Sequence, residues 1–146
     1  TEPESGVPYF LDIVGVKEQV LKPNWNCSRL IDVYLNRIHK YEKHTNAVVQ
    51  LLQRKKILAA ASKLDKRVSR IQDYSLFCVP VLVKDNIAIK GLVNAAGSIV
   101  MEEGLRVSKK DSTAISRMRR AGAVILGKTN MDEFALGFRT LSSRGG

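Results

Sequence analysis

Val-Pro-Val-Leu-Val-Lys-Asp-Asn, residues 79–86, is the stretch that decides the fold. A short apolar run that is rich in β-branched residues and bounded by a proline predicts a β-strand buried on both faces. We expect this strand to cover residues 77–83 and to lead directly into Lys84. A charge at the end of a buried strand is costly unless it is paired or neutral. Lys84 is therefore either a lysine paired with a carboxylate such as Asp85 or a lysine kept neutral for chemistry.

A helix and a second buried strand follow along the chain. Asp111 or Ser112 is expected to cap a helix over residues 113–121, and Gly122 is the expected residue just past its end. Residues 123–127, Ala-Val-Ile-Leu-Gly, then predict another buried strand. Strand, helix and strand in this order are typical of a βαβ unit in an α/β sheet.

Polar residues follow both predicted strands. Lys84, Asp85 and Asn86 come directly after the first strand, and Thr129 and Asn130 follow the second. Because parallel strands end at the same edge of a sheet, these two clusters should lie side by side, where α/β sheets bind ligands. They form the candidate functional site.

The first half of the chain predicts helices. Amphipathic patterns indicate helices over residues 9–21, 29–41 and 53–70, with Ser28 as the N-cap of the second helix and a brief extended or turn segment over 47–51. The expected fold class is α/β, with N-terminal helices followed by part of an open mixed β-sheet flanked by helices. This pattern looks like the front of a larger domain, because so few strands leave sheet edges uncovered.

Composition narrows the classes of function. The net charge is +10, from 24 basic and 14 acidic residues, which raises the possibility of a nucleic-acid partner. The basic residues are spread along helices without interleaved aromatic residues, so a solvated basic surface is the preferred interpretation. No apolar run approaches the ~20 residues of a membrane span. Cys27 and Cys78 lack the spacing of a zinc site, and their spacing does not establish a disulfide.

Five blocks carry a family resemblance: residues 80–86 (Pro-Val-Leu-Val-Lys-Asp-Asn), 96–98 (Ala-Gly-Ser), Asp111, 119–130 (Arg-Arg-Ala-Gly-Ala-Val-Ile-Leu-Gly-Lys-Thr-Asn) and 131–135 (Met-Asp-Glu-Phe-Ala). In this order and spacing they resemble the amidase signature family of serine hydrolases. The resemblance covers most of the chain. It implies that residues 1–146 are the N-terminal part of one amidase domain, with a mainly helical arm over 1–75 and a βαβ segment of the sheet core over 76–146.

The resemblance also implies a chemistry. The family uses a Ser–cis-Ser–Lys triad, and Lys84 matches its catalytic lysine. A neutral amine at this position can take a proton through a bridging serine and so activate a nucleophilic serine. The residues that the family match would place in loop support or in the substrate pocket are Asp85, Asn86, Gly97, Ser98, Thr129, Asn130 and Met131. Neither a cofactor nor a metal is implied.

The two serines of the triad are expected in Gly/Ser-rich segments beyond this chain. Ser142 and Ser143 stand in Leu-Ser-Ser-Arg-Gly-Gly, which matches a loop that precedes the catalytic segments in some family members. The initial Thr likewise suggests a cut or processed N-terminus. The chain alone is therefore expected to be inactive.

Three functions are compared. The first is an amidase-type hydrolase that cleaves a carboxylic amide C–N bond, with a small amide and the remainder of the domain as partners and a cytoplasmic location favoured. The second is the A subunit of glutamyl-tRNA(Gln) amidotransferase, a member of the same family, which residues 127–135 resemble and which would imply tRNA and a mitochondrial location. The third is a truncated non-catalytic protein or basic binding module.

Two features imitate other sites. Residues 122–129 echo G-x-x-x-x-G-K-[ST], but in a phosphate-binding loop the strand precedes the first glycine, whereas here the intervening residues are themselves the strand. Lys128 is accordingly interpreted as a surface lysine at a strand end. Asp132 and Glu133 are interpreted as favourable charges at the start of a short helix.

Overall fold

The computed structural model describes residues 10–104, 107–137 and 144–145. In chain order, the elements are α1 (Ile13–Leu21), α2 (Cys27–Thr45), β1 (Val48–Leu51), α3 (Arg54–Asp65), β2 (Pro80–Lys84), α4 (Ile99–Gly104), α5 (Thr113–Arg120) and β3 (Val124–Thr129). Short 3₁₀ turns cover Val68–Asp73 and Glu133–Ala135. Within these ranges no helix is long and apolar enough to cross a membrane.

The helix caps correct two predicted boundaries. Helix α2 begins at Cys27 because the side chain of Asn26 accepts a hydrogen bond from the Arg29 amide, 2.7 Å away. Ser28, the predicted N-cap, instead donates its hydroxyl to the carboxylate of Asp65 on α3. At its other end, α2 stops where Asn46 adopts the left-handed conformation, with φ 47° and ψ 37°.

The sheet is small, open and mixed, as predicted. Strand β3 lies in the centre, and it pairs in parallel with β2 and antiparallel with β1. Helix α5, capped by Ser112 and followed by Gly122 at φ 94°, connects the parallel pair, which confirms the βαβ prediction. The segment over 47–51 is a true strand, so the helical first half of the chain contributes directly to the sheet.

A β-bulge interrupts the parallel pairing. Val81 pairs with Ile125, but Leu82 pairs with Gly127, so Leu126 is an extra residue in β3. An extra residue shifts the alternation of side chains beyond it. As a consequence, Lys128 pairs with Val83 and Thr129 with Lys84.

Two apolar clusters cover the two faces of the sheet. The larger one packs α1, α2 and α3 on Leu126, and the smaller one packs α5 and the loop after β2 on Val83 and Ile125. The expectation that β2 is buried on both faces is wrong for the described chain: Val83 alone of its five residues is buried. The reason is that β2 forms an edge of the described sheet. A groove of about 490 Å³ stays open between α2 and the β2 end of the larger cluster.

A disulfide bond joins the helical part to the sheet. Cys27 opens α2 and Cys78 comes two residues before β2, with their Cα atoms 5.5 Å apart. Both cysteines are almost completely buried within the larger cluster. The bond therefore fixes the start of α2 against the entrance to β2.

Candidate active site at the carboxyl edge of the sheet

Strands β2 and β3 end together, as the sequence predicts. Lys84 and Thr129 are direct neighbours in the parallel register. They open into a cleft of about 360 Å³ whose lining residues are Lys84, Thr129, Asn130, Met131, Asp132, Ala135 and Gly137. The two polar clusters that follow the strands thus form one site.

Lys84 is exposed at this edge. Among the residues that the structure describes, its amine has no hydrogen-bond or ion-pair partner, and it does not pair with Asp85. The expectation that the end of β2 desolvates Lys84 is therefore not met by the described residues. The cause is the edge position of β2, whose last residue no described element covers.

The desolvated lysine is Lys128, so its interpretation as a surface residue is wrong. Its side chain is fully buried. Its ammonium donates hydrogen bonds to the main-chain oxygen of Asp85 and to Oδ1 of Asn94, both at 2.9 Å, and lies 3.3 Å from Oδ1 of Asp85. Burial lowers the pKa of Lys128 below its ordinary value, while the Asp85 carboxylate partly opposes this shift.

Asp85 lies at the centre of a buried polar network. Its Oδ2 accepts a hydrogen bond of 2.9 Å from the Gly97 amide and lies 3.5 Å from Nε of Arg144. The Arg144 amide in turn donates to the main-chain oxygen of Gly97, and its guanidinium pairs with Glu102. The carboxylate that follows Lys84 in sequence therefore organises the loop behind the cleft.

That loop packs closely on the segment after β3. Gly97 has φ 76°, and a Cβ atom added there would lie 2.6 Å from the main-chain oxygen of Met131. The Phe134 amide also donates to the main-chain oxygen of Ala96 at 2.9 Å. Ser98 is buried next to Gly97, and its Oγ accepts a long hydrogen bond from the Met101 amide in α4. Gly97 and Ser98 therefore support the site from behind rather than line the cleft.

The other wall is tied to the end of α2. The Asn130 amide donates to the main-chain oxygen of Ala47 at 2.8 Å, and its side-chain nitrogen donates to that of Asn46 at 3.1 Å. Its Oδ1 accepts a hydrogen bond from the Met131 amide. Thr129, Asn130 and Met131 thus line the cleft beside Lys84, whereas Asn86 is exposed and is not among the lining residues.

Sequence reasoning missed three members of this network. Lys128, Asn94 and Arg144 converge on Asp85, but only the bulge in β3 directs Lys128 to it, and no local pattern in the sequence reveals that bulge. Ser142 and Ser143 lie outside the described residues. Across the described ranges, no group of three or more His, Cys, Asp or Glu side chains could hold a metal ion.

The model of the amidase family matches residues 29–146, and the chain belongs to that family. Among its relatives, the first of the A subunits of glutamyl-tRNA(Gln) amidotransferase in Clostridium acetobutylicum is 33% identical over 136 residues, which is 92% of this chain and 27% of the relative. The corresponding protein from Syntrophobacter fumaroxidans is 32% identical, again over 27% of its length. The chain thus spans about a quarter of the length of these relatives.

Solved structures agree on the fold. The inhibitor-bound vestigial complex related to an s-triazine catabolic enzyme gives a TM-score of 0.83 at 28% identity, over 93% of this chain and 30% of that one. Native peptide amidase from Stenotrophomonas maltophilia gives 0.75 at 30% identity, over 86% of this chain and 26% of the amidase. The three-stranded sheet and its helices therefore correspond to part of the amidase signature fold.

Proposed function

We propose that this chain carries the general base of an amidase site, and that the whole protein cleaves the C–N bond of a carboxylic amide by a Ser–cis-Ser–Lys mechanism. The observation that supports this most is the position of Lys84. It ends β2, lines the cleft beside Thr129 and has no partner among the described residues. It is also the residue that matches the catalytic lysine of the family.

The proposed reaction follows from a lysine amine in reach of two hydroxyl groups. Neutral Lys84 takes a proton from a bridging serine, which in turn takes the proton of a nucleophilic serine. The nucleophile attacks the amide carbonyl, and the proton returns to the leaving amine as the C–N bond breaks. Water then hydrolyses the acyl-enzyme and frees the serine. Both serines belong to residues outside the described part of the chain, and these residues would also supply the burial that favours a neutral Lys84.

Lys128 cannot take this role. It is fully buried, and oxygen atoms of Asp85 and Asn94 surround its ammonium group. A general base must come within hydrogen-bond reach of the proton that it removes. Lys84 is the lysine that meets the cleft.

The test begins with the codons that follow Gly146, where Gly/Ser-rich segments with two serines are expected. The full-length product should release ammonia from a C-terminally amidated peptide or from glutamine. Lys84→Ala should lower kcat/KM by about a thousandfold or more, because one member of a catalytic triad is lost. Lys90→Ala, at an exposed lysine six residues away, is the matched control and should leave the rate unchanged.

Two results would contradict the proposal. One is a Lys84→Ala variant that keeps most of the activity, which would remove the base. The other is activity in the 146-residue chain that survives loss of Ser142 and Ser143, which would contradict the position of the nucleophile outside the described residues. A stop codon directly after Gly146 would favour the non-catalytic alternative.

A second candidate is the A subunit of a glutamyl-tRNA(Gln) amidotransferase. The relatives of that name, at 33% and 32% identity over most of this chain, favour it, as does the segment 127–135. Under this alternative, ammonia release from glutamine should exceed release from an amidated peptide. The opposite preference would favour an amidase that acts on small or peptide amides.

A further inference from the structure

We propose that Lys128 is a positioning residue for Lys84, which holds the Asp85 turn in the one arrangement that directs Lys84 into the cleft. This inference rests on the proposed function of Lys84. It concerns a residue that never meets the substrate and acts only through the main chain of its neighbour.

The first step is the geometry of the two strands. Lys128 pairs with buried Val83, and Thr129 pairs with exposed Lys84. Since successive side chains of a strand point to opposite faces, Lys128 and Lys84 leave the sheet on opposite sides. Lys128 therefore reaches the turn after β2 from beneath, on the side covered by the smaller apolar cluster.

The second step is what Lys128 holds. Its ammonium bonds to the main-chain oxygen of Asp85 and contacts the carboxylate of the same residue. It also bonds to Asn94, which lies nine residues further along the loop. A single buried cation thus joins the residue directly after Lys84 to the far arm of the loop. The charge-assisted character of these bonds makes them stronger than neutral ones.

The third step connects this network to the opposite wall of the cleft. The Asp85 carboxylate accepts the Gly97 amide, and Gly97 packs against the main-chain oxygen of Met131. Met131 is one of the lining residues. Lys128 therefore sets the position of Lys84 on one wall and, through Asp85 and Gly97, the position of Met131 on the other.

A purely structural ion pair is the competing explanation, and a neutral replacement separates the two. Lys128→Met alone leaves a buried carboxylate without its cation, so it should lower both stability and kcat. The double variant Asp85→Asn/Lys128→Met removes both charges, keeps an acceptor for the Gly97 amide and should restore most of the stability. It does not restore the bonds to the Asp85 main chain and to Asn94, so kcat should stay low.

The experiment measures ammonia release from an amidated peptide by the full-length product. The double variant should show kcat about 10- to 100-fold below the unmodified protein, with KM changed by less than about threefold, because a displacement of about 1 Å in a catalytic group costs rate rather than binding. Lys128→Arg, which keeps the charge, should recover part of kcat. Lys90→Met is the matched control and should leave both constants unchanged.

The outcomes are separable. If Lys84→Ala leaves the activity intact, the proposed function fails. If Lys84→Ala abolishes activity while the double variant keeps unmodified kcat, only the positioning role of Lys128 is overturned. If the double variant does not fold, Asn94→Leu, which removes one acceptor, should lower kcat by about three- to tenfold, and an unchanged kcat would overturn the inference.

A readout without activity comes from hydrogen exchange. The Ile87 amide, bonded to the main-chain oxygen of Lys84, and the Gly97 amide should exchange faster in the double variant, whereas the Leu30 amide in α2 should not. Equal protection at all three amides would contradict the role of Lys128.

Discussion

Two lysines stand at the same edge of the sheet and have opposite surroundings. On the open side, defined by Lys84, Thr129 and Asn130, the lysine is exposed and lacks a partner among the described residues. On the closed side, defined by Asp85, Asn94, Gly97 and Lys128, the lysine is fully buried among oxygen acceptors. Burial alone therefore does not identify a catalytic lysine. A buried lysine whose protons are all engaged holds structure, while an accessible amine at a strand end is available for chemistry.

The largest expected effect is a difference in stability between the two lysines. Lys128→Met should lower the free energy of unfolding by about 3–5 kcal/mol, because it leaves the buried Asp85 carboxylate uncompensated. Lys84→Met should change it by less than about 0.5 kcal/mol, because Lys84 is exposed and makes no described contact. Urea unfolding of the 146-residue chain measures both values. Similar losses in the two variants would break the distinction between the sides.

The next effect concerns the contact that joins the closed side to the cleft. Gly97→Ala should cost about 2–4 kcal/mol, because φ 76° disfavours a side chain and the new Cβ would lie 2.6 Å from the Met131 oxygen. Gly104→Ala is the matched control. It lies at the end of α4 with no atom within 4 Å of an added Cβ, so it should be neutral or slightly stabilising. Thermal unfolding of the two variants tests this prediction, and a tolerated Gly97→Ala would contradict it.

The smallest effect is a pH dependence confined to the closed side. The pKa of Lys128 is lowered from 10.5 by burial, so between the lowered value and 10.5 the unfolded state binds more protons than the folded state. The free energy of unfolding should therefore rise with pH in this alkaline window, by at most about 1.4 kcal/mol per pH unit for one proton. Below the window both states hold the proton and the destabilising contribution of Lys128 is complete.

The measurement compares urea unfolding at about pH 8 and about pH 10 in the unmodified chain and in Asp85→Asn/Lys128→Met. The difference between the two proteins removes the contribution of the other lysines. A pH dependence that is the same in both would show that Lys128 does not carry this titration.

The parts of the fold that local patterns determine could be predicted from the sequence. The βαβ unit, the turn at Gly122 and the proximity of Lys84 to Thr129 each follow from short stretches of residues. The predicted N-cap of α2 is wrong for a tertiary reason. Asn26 and Ser28 are both good capping residues, and Asp65, 37 positions beyond Ser28, takes the Ser28 hydroxyl.

The buried lysine could not be predicted for a different reason. Strict alternation places Lys128 on the same face as Leu126, whereas the bulge at Leu126 moves it to the face of Val83. The predicted burial of Lys84 is too high because it depends on elements that would cover the edge strand β2 and that lie outside the described residues. The assignment of Lys84 itself comes from the family motif and stays a prediction until activity is measured.

The disulfide between Cys27 and Cys78 has a consequence for how the chain unfolds. It closes a loop of 51 residues that contains α2, β1 and α3. In the chain-entropy account, closing a loop of this length removes about 4 kcal/mol of conformational entropy from the unfolded ensemble. Because β1 also pairs with β3, the helical arm cannot detach from the sheet without loss of the strand pairing. Far-ultraviolet circular dichroism and the fluorescence of Trp25, which packs beside the larger cluster, should therefore change in one coincident transition. The cross-link turns two regions that look separable along the sequence into one cooperative folding unit.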